Sequence, residues 1–319
     1  MSVLRIGVVG VGHMGRLHAR KLAELRDAGE DLTLAGVADS DLERARAVGA
    51  ETRAVAVSRA SDLFDRSDAL VVAVPTVAHH AVVSDALRAG LDILVEKPIA
   101  ATLLEAEALL ALARERGRVL QVGHLERFNV ALRRVKAHIR RPRFVEGHRM
   151  GPFSARATDV DVVRDLMIHD IDLLQDLVGE EPCRIEAVGV PILSKEVDIA
   201  NARLTFPGGC VANLTASRVS PTPMRKLRIF QADGYFSLDF LTHSVVIFRR
   251  VAGEGGASPR IEMERLEIDR EDALLAQLRA FAEAVRSRGV PAVSGDDAQA
   301  ALRTALRVVE AMPPIDELP

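Results

Sequence analysis

The chain has 319 residues, of which 48% are hydrophobic and 27% charged, with 42 Lys plus Arg against 45 Asp plus Glu. That length fits two domains, and the composition fits a folded protein able to build its core without disulfides. A net charge of −3 gives no general field for nucleic acid or an anionic membrane, so neither is expected as a partner; Cys183 and Cys210 form no disulfide framework, and no Cys/His cluster has zinc spacing, so no metal is expected.

The N-terminus is apolar but broken by Arg5, His13 and Arg16, which is unlike a secretory signal. Other apolar runs fall short of the roughly 20 residues that span a bilayer. The expected location is the cytoplasm. Leu4–Gly10 is a short apolar run ending in Gly, which suits a buried parallel strand. A helical stretch follows from about Met14 to Ala28, then a strand over Leu32–Ala38 with Asp39 at its end. Leu70–Val74 stops at Pro75, and Ile93–Val95 leads into Glu96-Lys97-Pro98. Thr102 with Glu105 three residues on reads as a capping box, opening a helix that stops at Gly117. Val119–Val122 is a fifth strand. Strands alternating with helices predict an α/β domain: a Rossmann-type, doubly wound parallel sheet.

From there the rhythm changes. Phe144–Met150, Ile185–Leu193, Ala202–Phe206, Val211–Val219, Lys226–Gln231, Tyr235–Phe240 and Ser244–Arg250 are strand candidates, and Pro207-Gly208-Gly209 and Asp233-Gly234 supply turns. This predicts an α+β domain with a large, mostly antiparallel open sheet. Two helices close the chain, near 271–287 and 296–311. The division is placed at Gly123, giving a cofactor domain over 1–123 and a substrate-binding and oligomerisation domain over 124–319. Packing of the closing helices on the first domain is left open.

Gly10-Val11-Gly12-His13-Met14-Gly15 fits G-x-G-x-x-G and lies between a predicted strand and a predicted helix, the context that pattern requires. The first Gly permits the turn, the second lets backbone approach a pyrophosphate, and the third lets helix and strand pack closely. The helix N-terminus then faces the phosphates. Asp39 is placed to accept hydrogen bonds from ribose hydroxyls and to repel a 2′-phosphate, which favours NAD over NADP; helix capping is its alternative role.

The glycine loop, Glu96-Lys97-Pro98 after a strand, and Asp165-x-x-x-His169 occur in that order, with His18-Ala19 and Pro75-Thr76 between the first two. The chain thereby resembles the glucose–fructose oxidoreductase / inositol dehydrogenase (Gfo/Idh/MocA) family over essentially its whole length. The resemblance implies NAD(P)-dependent dehydrogenation of a CH–OH group of a sugar or polyol, and a homo-oligomer, a dimer or tetramer, formed through the open sheet. It adds His13, Met14, Pro75, Thr76, His79, Glu96 and Lys97 to the cofactor site. Many members carry Gly two residues after the Asp. Here Met167 stands there, so the pocket should differ from that of inositol dehydrogenases.

Asp165, His169, Asp172 and Asp176 also form a polar stripe by helical spacing on an otherwise apolar helix, whose stripe should face something other than bulk water. Oxidising an alcohol needs hydride transfer to the cofactor and removal of the hydroxyl proton. His169 can accept that proton, Lys97 can hydrogen-bond the same oxygen, and Asp165 can bind a neighbouring hydroxyl or orient the site. Only five of the basic residues are Lys. In a chain that writes Arg almost everywhere, Lys97 is harder to dismiss, because Arg would not replace a titratable amine.

Val122-Gly123-His124-Leu125-Glu126-Arg127-Phe128-Asn129 and Asp161 to Asp172 resemble the branch that oxidises the sugar 3-hydroxyl of UDP-N-acetylglucosamine. That branch hands its 3-oxo product to a PLP-dependent aminotransferase, for a 2,3-diamino sugar of lipid A. His124, Arg127 and Arg156 join Asp165 and His169 as substrate-binding candidates. Arg149 and Arg156 can meet a diphosphate or simply be solvated. The alternatives are a dehydrogenase of a free sugar or inositol, and a non-catalytic NAD-sensing regulator.

Overall fold

The computed structural model describes residues 3–153, 160–252, 258–266, 268 and 271–313. Arg156 lies outside the described residues. The chain divides into two compact units, Met1–Phe128 with Asp272–Gln299, and Asn129–Glu271 with Ala300–Pro319. Compared with a division at Gly123, the first unit extends through Phe128 and takes in a stretch close to the C-terminus.

In the first unit the strands are β1 (Leu4–Val9), β2 (Leu32–Ala38), β3 (Ala56–Val57), β4 (Ala69–Val72), β5 (Asp92–Glu96) and β6 (Leu120–Gly123). The helices between them are α1 (His13–Asp27), α2 (Leu42–Thr52), α3 (His79–Arg88) and α4 (Leu103–Arg116). The strands pair in parallel in the order β3-β2-β1-β4-β5-β6. Two crossovers thus run in opposite directions from β1, which opens a crevice at its carboxyl end. Ile6, Val8, Val71 and Leu94 are fully or almost fully buried, as continuous apolar strands covered on both faces should be. The capping box forms as the sequence suggests: Thr102 accepts from the Glu105 N–H, Glu105 answers at the Thr102 N–H, and Gly117 ends α4 in the left-handed region.

The second unit contains α5 (Val130–Val135), β7 (Phe144–Met150), α6 (Ile168–Val178) and β8 (Arg184–Val190). Six strands follow: β9 (Ile199–Thr205), β10 (Val211–Ser217), β11 (Met224–Gln231), β12 (Gly234–Asp239), β13 (Ser244–Val251) and β14 (Arg260–Leu266). Among the described residues they form one sheet in the order β14-β13-β12-β11-β7-β10-β9-β8. It is antiparallel except where β10 runs parallel to β7. One face carries Val145, Ala202, Leu214, Leu227, Ile229 and Leu238, buried with Ile171 and Leu174 of α6. Gly147 of β7 lies at that contact, where an added Cβ would stand 3.9 Å from the Asp170 Cβ and 2.6 Å from a Leu214 methyl.

The open face carries an aromatic row. Phe144, Phe230, Tyr235 and Phe248 follow each other across β7, β11, β12 and β13, with successive ring centroids 5.7, 4.9 and 4.1 Å apart. Two last helices, α7 (Ala273–Ser287) and α8 (Gly295–Glu310), end the described chain. α7 contributes Leu278, Phe281 and Val285 to the same core as Ile6 and Val8 of β1, which is why residues 272–299 group with the first unit. No described helix is long and apolar enough to cross a membrane.

Candidate functional site

In the first unit the carboxyl ends of the strands open onto a cavity of about 670 Å³. Gly10, Gly12 and Met14 line it from the β1 turn, Asp39 from β2, Pro75, Thr76 and His79 from β4 to α3, and Glu96 and Lys97 from β5. The structure therefore brings most of the cofactor candidates together. Gly15 is buried behind the loop, and His13 stands exposed at the start of α1.

Each glycine of the loop does different work. Gly10 has φ of 80°, and a Cβ there would lie 2.7 Å from the Val74 N. A Cβ on Gly15 would lie 1.7 Å from the Gly10 carbonyl oxygen, so only hydrogen fits where helix meets strand. A Cβ on Gly12 would meet nothing within 4 Å: it would point into free space, where the loop can receive a phosphate. Gly12 is also the N-cap of α1, with no side-chain cap and no acid in the first turn, so the helix N-terminus is left for an anion.

Asp39 is nearly buried and ties β2 to the loop, its Oδ2 accepting the Val11 N–H at 2.8 Å and its Oδ1 the Asp41 N–H at 2.9 Å. Asp41, not Asp39, caps α2. The Arg44 guanidinium stands 3.4 Å from both Asp39 oxygens and lines the same cavity with Ser40 and Ser58. Sequence reasoning missed those three. Arg44 could have been found one helical turn beyond the Asp41 cap, facing Asp39. These residues fit a dinucleotide: an open glycine turn, an uncapped helix start, and a carboxylate at the end of β2.

At the other end of the cavity, burial pushes the pKa of His79 down, against the support of the Pro98 and Val74 carbonyls. Those oxygens lie 2.9 Å from Nδ1 and 2.9 Å from Nε2, so the ring spans the ends of β4 and β5. The Lys97–Pro98 peptide is cis. His124 is buried just after β6, and Arg127 is largely buried with a guanidinium nitrogen 4.0 Å from Asp297. Both belong to the first unit, although the division at Gly123 put them in the second.

The second unit holds Asp165 and His169. The chain does not enter this region as one regular α-helix: a π turn over Val163–Met167 precedes α6. Asp165 lies in the π turn, and its N–H donates to the Asp161 carbonyl at 3.1 Å. The sequence stripe assumed a uniform α-helical step, so its Asp165 end follows a wider turn than expected. Such turns are frequent at functional sites. The rest of the stripe diverges. Asp172 is buried, and Asp176 pairs with Lys136 at 2.6 Å. Arg149, expected to meet a diphosphate or water, is buried and paired with Asp170: Nε donates to Oδ2 at 3.1 Å and Nη2 to Oδ1 at 2.8 Å. Among the described residues no group of three or more His, Cys, Asp or Glu could hold a metal ion.

A doubly wound sheet, a glycine turn opening on a helix N-terminus and a carboxylate closing β2 define an NAD-binding oxidoreductase. Two family models match the chain: the oxidoreductase family with NAD-binding Rossmann fold over residues 4–124, and the GFO/IDH/MocA C-terminal domain over residues 131–237. The chain belongs to the GFO/IDH/MocA oxidoreductase family and is an NAD-dependent dehydrogenase acting on CH–OH groups. It is 40% identical over 309 residues to the UDP-N-acetylglucosamine 3-dehydrogenase of Acidithiobacillus ferrooxidans, covering 97% of each chain. A solved structure of that name from A. ferrooxidans superposes with a TM-score of 0.90 at 39% identity, covering 98% of each. The myo-inositol 2-dehydrogenase of Thermotoga maritima is 26% identical over 321 residues, 94% of this chain and 93% of that one.

Proposed function

We propose that this dehydrogenase oxidises the 3-hydroxyl of UDP-N-acetylglucosamine to a 3-oxo sugar. The observation that carries the reading is the 40% identity to a UDP-N-acetylglucosamine 3-dehydrogenase along 97% of both chains. The more distant inositol dehydrogenase likeness makes oxidation of a free polyol the second reading. A non-catalytic NAD sensor is disfavoured by Lys97, Asp165 and His169, which are all present.

A dinucleotide held at Gly10, Gly12 and Asp39 would supply the hydride acceptor for this reaction. His169 accepts the hydroxyl proton, as an imidazole can near neutral pH. Lys97 donates a hydrogen bond to the same oxygen and stabilises the negative charge developing there. Asp165 binds a neighbouring hydroxyl, and His124, Arg127 and Arg156 belong to the substrate side. We further propose a cytoplasmic enzyme whose product passes to an aminotransferase, for a 2,3-diamino sugar of lipid A. We also propose a homo-oligomer, a dimer or tetramer, closed through the open sheet face. The half-buried aromatic row on that face supports the last point; a monomer by light scattering would remove it.

The test follows formation of reduced cofactor with UDP-N-acetylglucosamine, free N-acetylglucosamine and myo-inositol. Turnover confined to the UDP-sugar is expected. Turnover of inositol alone would favour the second reading, and tight NAD binding with no turnover would favour the sensor. Lys97→Ala and His169→Ala should each lower turnover at least about 100-fold while NAD affinity changes little. Near-normal turnover in both would remove their assignment.

A further inference from the structure

The wall of the cofactor cavity contains a hydrogen-bonded His–Glu pair that the proton-transfer scheme does not use. Glu96 ends β5 and lines the cavity. Fully buried His18, from α1, meets its carboxylate, with Nε2 2.7 Å from Oε1. The rest of the carboxylate occupies space left by Gly123, where an added Cβ would stand 3.0 Å from Oε2. Burial opposes the charge on Glu96, but the His18 hydrogen bond and the neighbouring His18 and Lys97 outweigh it and hold the pKa below the usual carboxylate value. His79 also feels this charge from α3. The molecule thus fixes one anionic group in a partly desolvated wall and clears room for it.

Topology says which part of the cofactor this charge meets. Asp39 ends β2 on one side of β1, whereas β4 and β5 lie on the other. A dinucleotide crossing the glycine turn with its adenosine ribose at Asp39 extends its nicotinamide half toward β4 and β5, where Glu96 stands. The oxidised nicotinamide ring carries a positive charge that the reduced ring lacks. A fixed carboxylate therefore stabilises the oxidised form selectively.

We propose that Glu96, held ionised and oriented by His18, makes the site prefer NAD+ over NADH. Glu96 borders the cofactor; His18 acts through it and is a positioning residue. The preference lowers retention of the reduced cofactor after hydride transfer. It rests on NAD binding alone and is independent of which sugar is oxidised.

The test is equilibrium binding of NADH, NAD+ and ADP-ribose, the last being the same cofactor without its nicotinamide. The chain has no Trp, so NADH emission can be titrated over a low protein background, with the other two ligands measured by competition. Glu96→Gln keeps the side-chain shape and removes the charge. It should raise the ratio of the NAD+ to the NADH dissociation constant about tenfold, with ADP-ribose affinity unchanged. His18→Leu should shift the ratio in the same direction, and His18→Gln, which keeps an amide donor near the former Nε2, should restore it. An unchanged ratio in Glu96→Gln overturns the proposal. Equal weakening of all three ligands also overturns it, because the pair would then only brace the fold. If His18→Leu does not fold, the isosteric Glu96→Gln still decides.

Discussion

Arg149 and Asp170 lock α6 to β7, and the cost of unlocking them can be worked out. Both side chains are 4% exposed, and two hydrogen bonds join them. Arg149→Met leaves a buried carboxylate without its guanidinium, and Asp170→Leu leaves a buried guanidinium without its carboxylate. Each single change should cost about 3–5 kcal/mol, because an uncompensated buried charge is expensive. Solvent screening gives no reason to discount that figure at this burial. The double variant buries two apolar side chains instead and should come within about 1–2 kcal/mol of the parent. Urea denaturation of the four proteins, followed by circular dichroism at neutral pH, gives the coupling directly. Asp170 is adjacent to His169, so the singles should also lose turnover if α6 shifts, and the double should regain part of it. Additive losses in the cycle would refute the reasoning, because the two side chains would then not share one interaction.

Asp198 accepts the N–H groups of Ile192, Leu193 and Ser194 at 2.8, 2.6 and 2.9 Å, and Arg218 Nε at 2.7 Å. Burial opposes its charge, but Arg218 and the three amides prevail and hold its pKa far below the usual range. Its stabilising contribution is therefore complete above the unfolded value of about 3.9 and is lost as pH falls toward the folded value. Asp198→Asn should destabilise strongly at neutral pH and about 1 kcal/mol less near pH 3, where the unfolded chain has largely taken up the proton but folded Asp198 has not, as urea midpoints at both pH values would show. Gly12→Ala should leave the melting temperature unchanged and weaken NAD binding, whereas Gly15→Ala should lower the melting temperature outright, given the 1.7 Å approach to Gly10. Equal melting losses would contradict that division of roles. Burial pushes the Cys210 thiol up to about 11, while Cys183 is exposed. A thiol reagent at about pH 8 should therefore modify Cys183 in the native protein and reach Cys210 only after denaturant.

Local signals carried over into the structure where one short segment contains its own cause. The glycine turn, the Thr102–Glu105 capping box and the Gly117 stop each depend on residues within one or two turns, and each forms where the spacing put it. Pairings over long distances were not legible. Leu278, Phe281 and Val285 give α7 an apolar face, but periodicity does not say which sheet that face covers; it joins β1. β14 escaped the strand reading because its side chains are almost all exposed, with Ile261 and Met263 alternating with charged residues on an edge. The π turn at Asp165 has no periodic signature in a mixed run of Val, Arg, Asp, Leu and Met. Asp170 lies outside the polar stripe read from sequence, yet it holds the buried ion pair, because its partner comes from another element.

The scarcity of Lys shows what composition can and cannot decide about Lys97. If rarity alone marked function, the other lysines should also occupy chemical settings. Lys21 instead meets Glu24 and Asp272 at 2.7 and 2.8 Å, Lys136 meets Asp176, and Lys226 lies 3.5 Å from Asp239. These are partly exposed ion pairs of the kind an Arg could also make. Lys therefore survives in this chain at ordinary sites, and rarity does not separate Lys97 from them. Its surroundings do. Lys97 follows a carboxylate that buried His18 holds in place, at the end of a central strand and on the wall of the cofactor cavity. An ammonium there is a compact hydrogen-bond donor beside a fixed carboxylate, a role that the planar, forked guanidinium of Arg would not reproduce.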